Sequence, residues 1–205
     1  MMRHLVSDSL GDLAAIYDKD VELVCVERAE SNALAVLAQE LFATRTVIQS
    51  QWEQKADNAD VLAQAVPSLV DNPSYGALNE EILGLADVLT TLLDCERVGV
   101  RVTTLHRPMC PRFHVDNIPC RLLTTISGPG TQWISNEDVD WERLADRGDD
   151  SLPVHSGKTI NQFESGSWSL LKGGSWDENF AGVVHRSPHA GGERLLLSID
   201  PIFSS

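Results

Sequence analysis

Apolar residues recur at helical spacing in two stretches of the first hundred residues. In "SNALAVLAQELFATRTVIQSQWEQ", Ser31 to Gln54, the side chains of Leu34, Leu37 and Leu41 fall on one face, Phe42 and Ile48 follow less strictly, and Ser31 or Asn32 can cap the start. The pattern predicts one amphipathic helix over the whole stretch. After "DNPSYG", the segment "ALNEEILGLADVLTTLLDCE" puts Leu78, Ile82, Leu85, Val88, Leu89 and Leu92 on one face and predicts a second. From Arg97 onward the period changes. Short β-branched or alternating runs, split by Gly, Pro, Asn and Asp, read as about eight strands: "RVGVRVTTLHR", "RFHVDN", "CRLLTTISG", "TQWIS", "TINQF", "SWSLLKGG", "AGVVHRSP" and "RLLLSIDPIF". A short helix is expected around Asp138 to Asp146. Helices followed by strands predict an α+β protein, mainly helical over 1–96, with a jelly-roll or related β-sandwich over 97–205 and the helices on one outer face.

At 205 residues the chain is expected to form a single domain, 1–205, burying roughly 70% of the surface its unfolded form exposes, so no disulfide or structural metal is needed for folding. The net charge of −14 argues against attraction to nucleic acid or anionic lipid. Cys25, Cys95, Cys110 and Cys120 lack the paired spacing of a disulfide framework, the first residues lack an apolar signal core, and no apolar run approaches the ~20 residues that span a bilayer. A soluble, cytoplasmic protein is the expectation. Charge is unevenly spread: Arg97, Arg101, Arg107, Arg112 and Arg121 face a single acid, Asp116, so 97–121 carries +4 and the rest −18. These arginines either hold a small anion or pair with acids on neighbouring strands.

In "RFHVDN", a strand would project His114 and Asp116 from one face and Val115 from the other, supplying two of three ligands for a mononuclear metal. Alone, His-x-Asp is common on polar strand faces. A partner is available in "AGVVHRSPHAGGERLLLSID", where His185 closes a β-branched strand. On a jelly-roll, whose distant strands lie side by side, His185 reaches the pair and completes a 2-His-1-carboxylate triad with open positions for a cosubstrate and dioxygen. Arg194, nine residues beyond His185, is placed to grip the far carboxylate of a metal-chelating dicarboxylate. Ser198 shares its strand face and is either a further donor to that ligand or a hydroxyl satisfied within the strand.

With "HVD", the strand "CRLLTTISG", the glycine turn and aromatic of "GPGTQW", then "VVHRSP" and "GERLLLSID", the chain resembles the 2-oxoglutarate and Fe(II)-dependent oxygenases with a double-stranded β-helix core. The resemblance covers roughly 97–201. It implies Fe(II) on His114, Asp116 and His185, 2-oxoglutarate held by Arg194, and a small-molecule or peptide substrate. More narrowly, "RPMCPRFHVDNIPCRLLTTISGPGTQWI" with "HRSP" resembles a bacterial family known only as a domain of unknown function, which supports the site and specifies no substrate.

Other residues leave alternatives open. His106, Cys110, Cys120 and His189 lie near the triad in sequence and suit zinc, yet "CPRFHVDNIPC" has no Cys-x-x-Cys unit. Cys25 and Cys95 read as small buried hydrophobes, His155 as a loop residue and His4 as frayed. Trp133, Trp168 and Trp176 read as core, with Trp133 a possible pocket wall. Besides the oxygenase, two readings stand: a cupin-like zinc or other divalent-metal protein without turnover, in metal homeostasis, and an interaction scaffold using an acidic helical lobe. Arg194 favours catalysis, because a purely structural metal site does not need it.

Overall fold

The nine-residue strand "RLLLSIDPI" sets the frame. The computed structural model, which describes residues 2–58, 61–146, 148, 151–189 and 192–203, places ten strands and four α-helices. In chain order these are β1 (Arg3–Ser7), β2 (Val21–Val26), α1 (Asn32–Ala43), β3 (Gln49–Gln54), α2 (Val61–Ala65), α3 (Tyr75–Leu93), β4 (Arg97–Leu105), β5 (Cys120–Ser127), β6 (Gln132–Ile134), α4 (Trp141–Ala145), β7 (Asn161–Gln162), β8 (Trp168–Lys172), β9 (Val184–Arg186) and β10 (Arg194–Ile202). Seven strands form one sheet in the order β1-β2-β8-β5-β10-β4-β3, antiparallel except for the parallel β1–β2 pair, and β7-β6-β9 form a second, smaller sheet.

Side-chain alternation gives the large sheet two buried faces. On β10, Leu195, Leu197 and Ile199 pack with Cys120 and Leu122 of β5, Val98, Val100 and Val102 of β4, and the apolar stripes of α1 and α3. Each such buried side chain is worth roughly 1.5–3 kcal/mol over leaving it exposed. The opposite face, carrying Leu23, Cys25, Leu123 and Leu171, closes on Trp133, Phe163 and Val183 from in and around the small sheet. Arg194, Leu196, Ser198 and Asp200 alternate onto this second face, so polar chemistry lies between the sheets.

Two predicted boundaries differ. The helix expected over Ser31 to Gln54 stops at Ala43: Arg45 adopts a left-handed φ of 51° that ends the helix, and Gln49–Gln54 pairs with β4 as an edge strand. The Leu34, Leu37, Leu41 stripe was sound, but "QSQWEQ" alternates with period two, and pairing with β4 decided between the two patterns. The first 96 residues also carry three strands besides helices; "VELVCV" is buried throughout, as expected of a strand covered on both faces. Of the eight strands expected after Arg97, "RFHVDN" is reduced to a single bridge between His114 and His185. The helix expected near Asp138 to Asp146 is α4. No helix among the described residues is long and apolar enough to cross a membrane.

Candidate metal centre

His114 and His185 meet through that bridge. Each backbone N–H donates to the other's carbonyl, at 3.0 Å from His114 and 2.9 Å from His185, and the ring centroids are 4.6 Å apart. Each imidazole donates its Nδ1–H to a nearby carbonyl, His114 to Arg112 O and His185 to Val183 O, both at 3.0 Å. A carbonyl only accepts, so Nδ1 carries a proton in each ring, and in the neutral tautomer this leaves the Nε2 lone pair free. Both free nitrogens face Asp116: His114 Nε2 lies 3.7 Å from Oδ1 and His185 Nε2 lies 3.4 Å from Oδ2. One ligand atom from each of the three residues falls within 4.8 Å of the others. Atoms bound about 2.1 Å from a common ion are spaced at roughly 3–4 Å, and both His–Asp separations lie in that range.

The charge state fits as well. Burial, together with the neighbouring His185, pushes the His114 imidazole down, toward the neutral form a ligand needs. For Asp116 burial acts upward but is outweighed by the facing His185 ring and by Arg121, and the carboxyl falls to about 2. Arg121 donates to Asp116 Oδ2 at 2.6 Å and grips Asp200 of β10 through two bonds of 2.7 Å. Behind the segment, Gly174 N donates to Asp116 O at 2.8 Å and Gly173 N to Pro119 O at 2.8 Å. The glycine pair of "LLKGGSW" therefore supports the ligand loop; a Cβ on Gly173 would run into the Ile118 carbonyl oxygen.

Arg194 is 2% exposed and bridges the sheets. Its guanidinium donates to Thr125 Oγ1 on β5 at 3.0 Å, Thr131 Oγ1 before β6 at 2.9 Å and Ser187 Oγ after β9 at 3.2 Å. Its Nε has no partner, no carboxylate faces it among the described residues, and burial pulls its pKa down to about 10. Ser198 is buried on the same face of β10 but is not among Arg194's partners. The hydroxyls of Thr125, Thr131 and Ser187 were missed from sequence. Only Thr125 had a local sign, sharing the parity of Arg121 and Leu123 on one strand.

The remaining candidates lie elsewhere. Cys120 is fully buried in the helix-side core, away from the histidines, and Cys110 is exposed; all four cysteines are free. His106 pairs with Glu193 at 2.5 Å and His189 is exposed on a cavity wall. His155 is exposed, whereas His4 is ordered in β1 with its ring 4.8 Å from that of Trp133, because β1 is paired along its length with β2. Trp133 and Trp168 are core and Trp176 packs against it. Of the arginine strip, Arg97 pairs with Glu53 and Arg121 with two aspartates, so neighbouring acids account for both.

A mixed α/β molecule with two facing sheets and a His, Asp, His cluster between strands has the fold of known oxygenases. A dioxygenase for auxin oxidation from rice superposes with a TM-score of 0.55 at 12% identity, over 98% of this chain and 83% of that one. A prolyl-4-hydroxylase from Pseudomonas putida does so with a TM-score of 0.50 at 13% identity, over 96% of this chain and 100% of that one. Identities this low establish the fold alone. The chain belongs to the family described as "Protein of unknown function (DUF1826)", which residues 7–200 match. A search of the curated proteins finds no match.

Proposed function

We propose that the protein is a non-haem Fe(II)- and 2-oxoglutarate-dependent oxygenase with a double-stranded β-helix core, acting on a small organic or peptide substrate and not on nucleic acid. His114, Asp116 and His185 hold the metal, with both imidazoles oriented by their Nδ1–H bonds and the carboxylate kept ionised by the facing His185 ring and by Arg121. Arg194 pairs with the far carboxylate of 2-oxoglutarate, and Ser198 lines the same strand face. When bound, iron with 2-oxoglutarate and dioxygen supplies the oxidation that hydroxylates a substrate while 2-oxoglutarate is converted to succinate and carbon dioxide. The Leu23, Leu123, Leu171 and Trp133 cluster excludes water from the space between the sheets.

The observation that carries this reading is the guanidinium of Arg194, buried without a carboxylate among the described residues. An unpaired buried charge costs several kcal/mol, and an anionic cosubstrate is the partner that offsets it. Four free cysteines agree with a reducing, cytoplasmic setting. The ligand set alone does not choose iron over zinc. Loaded anaerobically with Fe(II), the protein is expected to develop a visible charge-transfer band on adding 2-oxoglutarate and to release succinate when oxygen is admitted. His185→Ala should abolish metal binding, and Arg194→Gln should spare the metal but weaken 2-oxoglutarate. Tight zinc with neither band nor succinate would favour the metal-binding protein without turnover.

A further inference from the structure

A cavity of about 650 Å³ is lined in part by His114, while Asp116, His185 and Arg194 are not among its lining residues. Its volume is in the ~300–1,000 Å³ range of sites that enclose a small organic ligand. Phe113, Leu144, Leu152 and Pro153 supply apolar walls, and among the described residues Arg112, Arg143 and Arg186 line it with one acid, Asp146; Arg143 is paired with Asp140.

Arg186 is the best placed of the three. It follows His185 on β9, its guanidinium carbon lies 4.3 Å from the Phe113 ring centroid, and its Nε donates to Gln132 Oε1 at 2.9 Å. Stacking and that bond fix the plane, and no carboxylate faces it among the described residues, so the Nη edge is preorganised for a carboxylate fork. Apolar walls beside one such edge select an anion with a hydrocarbon or aromatic body. We propose that this cavity binds the substrate, that the substrate is an organic carboxylate with an aromatic or aliphatic body, and that Arg186 pairs with its carboxylate. The role as substrate rests on the oxygenase reading; the binding itself rests on the cavity.

Metal-free protein therefore makes the test independent of iron. By titration calorimetry, 4-phenylbutyrate or dodecanoate is expected to bind at least tenfold more tightly than its own amide, and excess 2-oxoglutarate is expected not to displace it. Arg186→Gln should erase the difference between acid and amide. Leu152→Glu, at an exposed lining position where folding is not at stake, should weaken the acids several-fold more than the amides, because both lose an apolar wall and only the acids meet repulsion. Equal binding of acid and amide to the wild type, or displacement by 2-oxoglutarate, overturns the assignment. Carboxylate binding without a charge-transfer band would keep the cavity and discard the oxygenase; the band without selective carboxylate binding would do the reverse.

Discussion

Asp116 is held from behind as firmly as it faces forward. Arg121 donates to Oδ2 at 2.6 Å, and its fork on Asp200 leaves it little freedom to turn away. The carboxylate is thus presented to the two imidazoles in one orientation before any ion arrives. Outer partners of this kind are commonly worth 10–100-fold in metal affinity. Arg121→Gln is expected to weaken binding of Co(II), followed by its visible absorption against a competing chelator, by roughly that 10–100-fold factor. Unchanged affinity would show that Asp116 needs no such support. The cysteines yield a second expectation. Burial pushes the Cys120 thiol up to about 12, and burial likewise raises Cys25 and Cys95. A raised thiol stays protonated at pH 8 and is a poor nucleophile. Iodoacetamide at pH 8 should therefore label native protein at exposed Cys110 alone, and mass spectrometry showing early modification of Cys120 would contradict the packing.

The elements that carry the centre are short, and their irregularity is what aims the ligands. "RFHVDN" reads as a strand in sequence, yet it forms a single bridge, and the glycines at 173, 174 and 182 let neighbouring backbone close on its far side. Gly182 has a φ of 91°, and a Cβ there would meet Val115 Cγ1 and the backbone of Gly173 and Gly174. Gly182→Val is expected to cost about 3 kcal/mol in urea unfolding, because left-handed strain and overlap add. A loss below about 0.5 kcal/mol, the size of an ordinary surface change, would mean that the loop yields. Periodicity made the longer elements legible: the α3 stripe and the alternation of β4, β5 and β10 were readable because one face of each meets the same core. It failed for "SNALAVLAQELFATRTVIQSQWEQ", where helix and edge strand abut and only pairing with β4 separates them. It also passed over "VELVCV", whose burial on both faces erases alternation.

The candidate site was legible in part because His114, Asp116, His185 and Arg194 stand out in combination, in order and spacing, although His-x-Asp alone is common on strands. Their helpers were not, since Thr125, Thr131, Ser187 and Asp200 gain meaning only when the two sheets face each other. Beside the apolar cluster and Arg194, one further side chain secures that facing. Glu22, fully buried at the start of β2 in the large sheet, accepts bonds from Ser135 Oγ at 2.9 Å and from Asn136 N and Nδ2 at 3.0 Å, just beyond β6 of the small sheet. Asn136 Nδ2 also donates to Gly182 O at 3.0 Å, two residues before β9. One carboxylate thus ties the large sheet to both strands that frame His185. Glu22→Ala would remove the acceptor of three part-buried donor bonds, with only Asn136 Nδ2 keeping its bond to Gly182 O, at roughly 1–3 kcal/mol for an unmet group, so a loss of about 3 kcal/mol in urea unfolding is expected. Glu22→Gln keeps one acceptor oxygen and should lose about half as much. Because the tie positions β9, Glu22→Ala should also weaken Co(II) binding several-fold under conditions where the variant remains folded. If stability falls while Co(II) affinity holds, the sheets can shift against each other without moving His185, and the centre is set by the His114–His185 bridge alone.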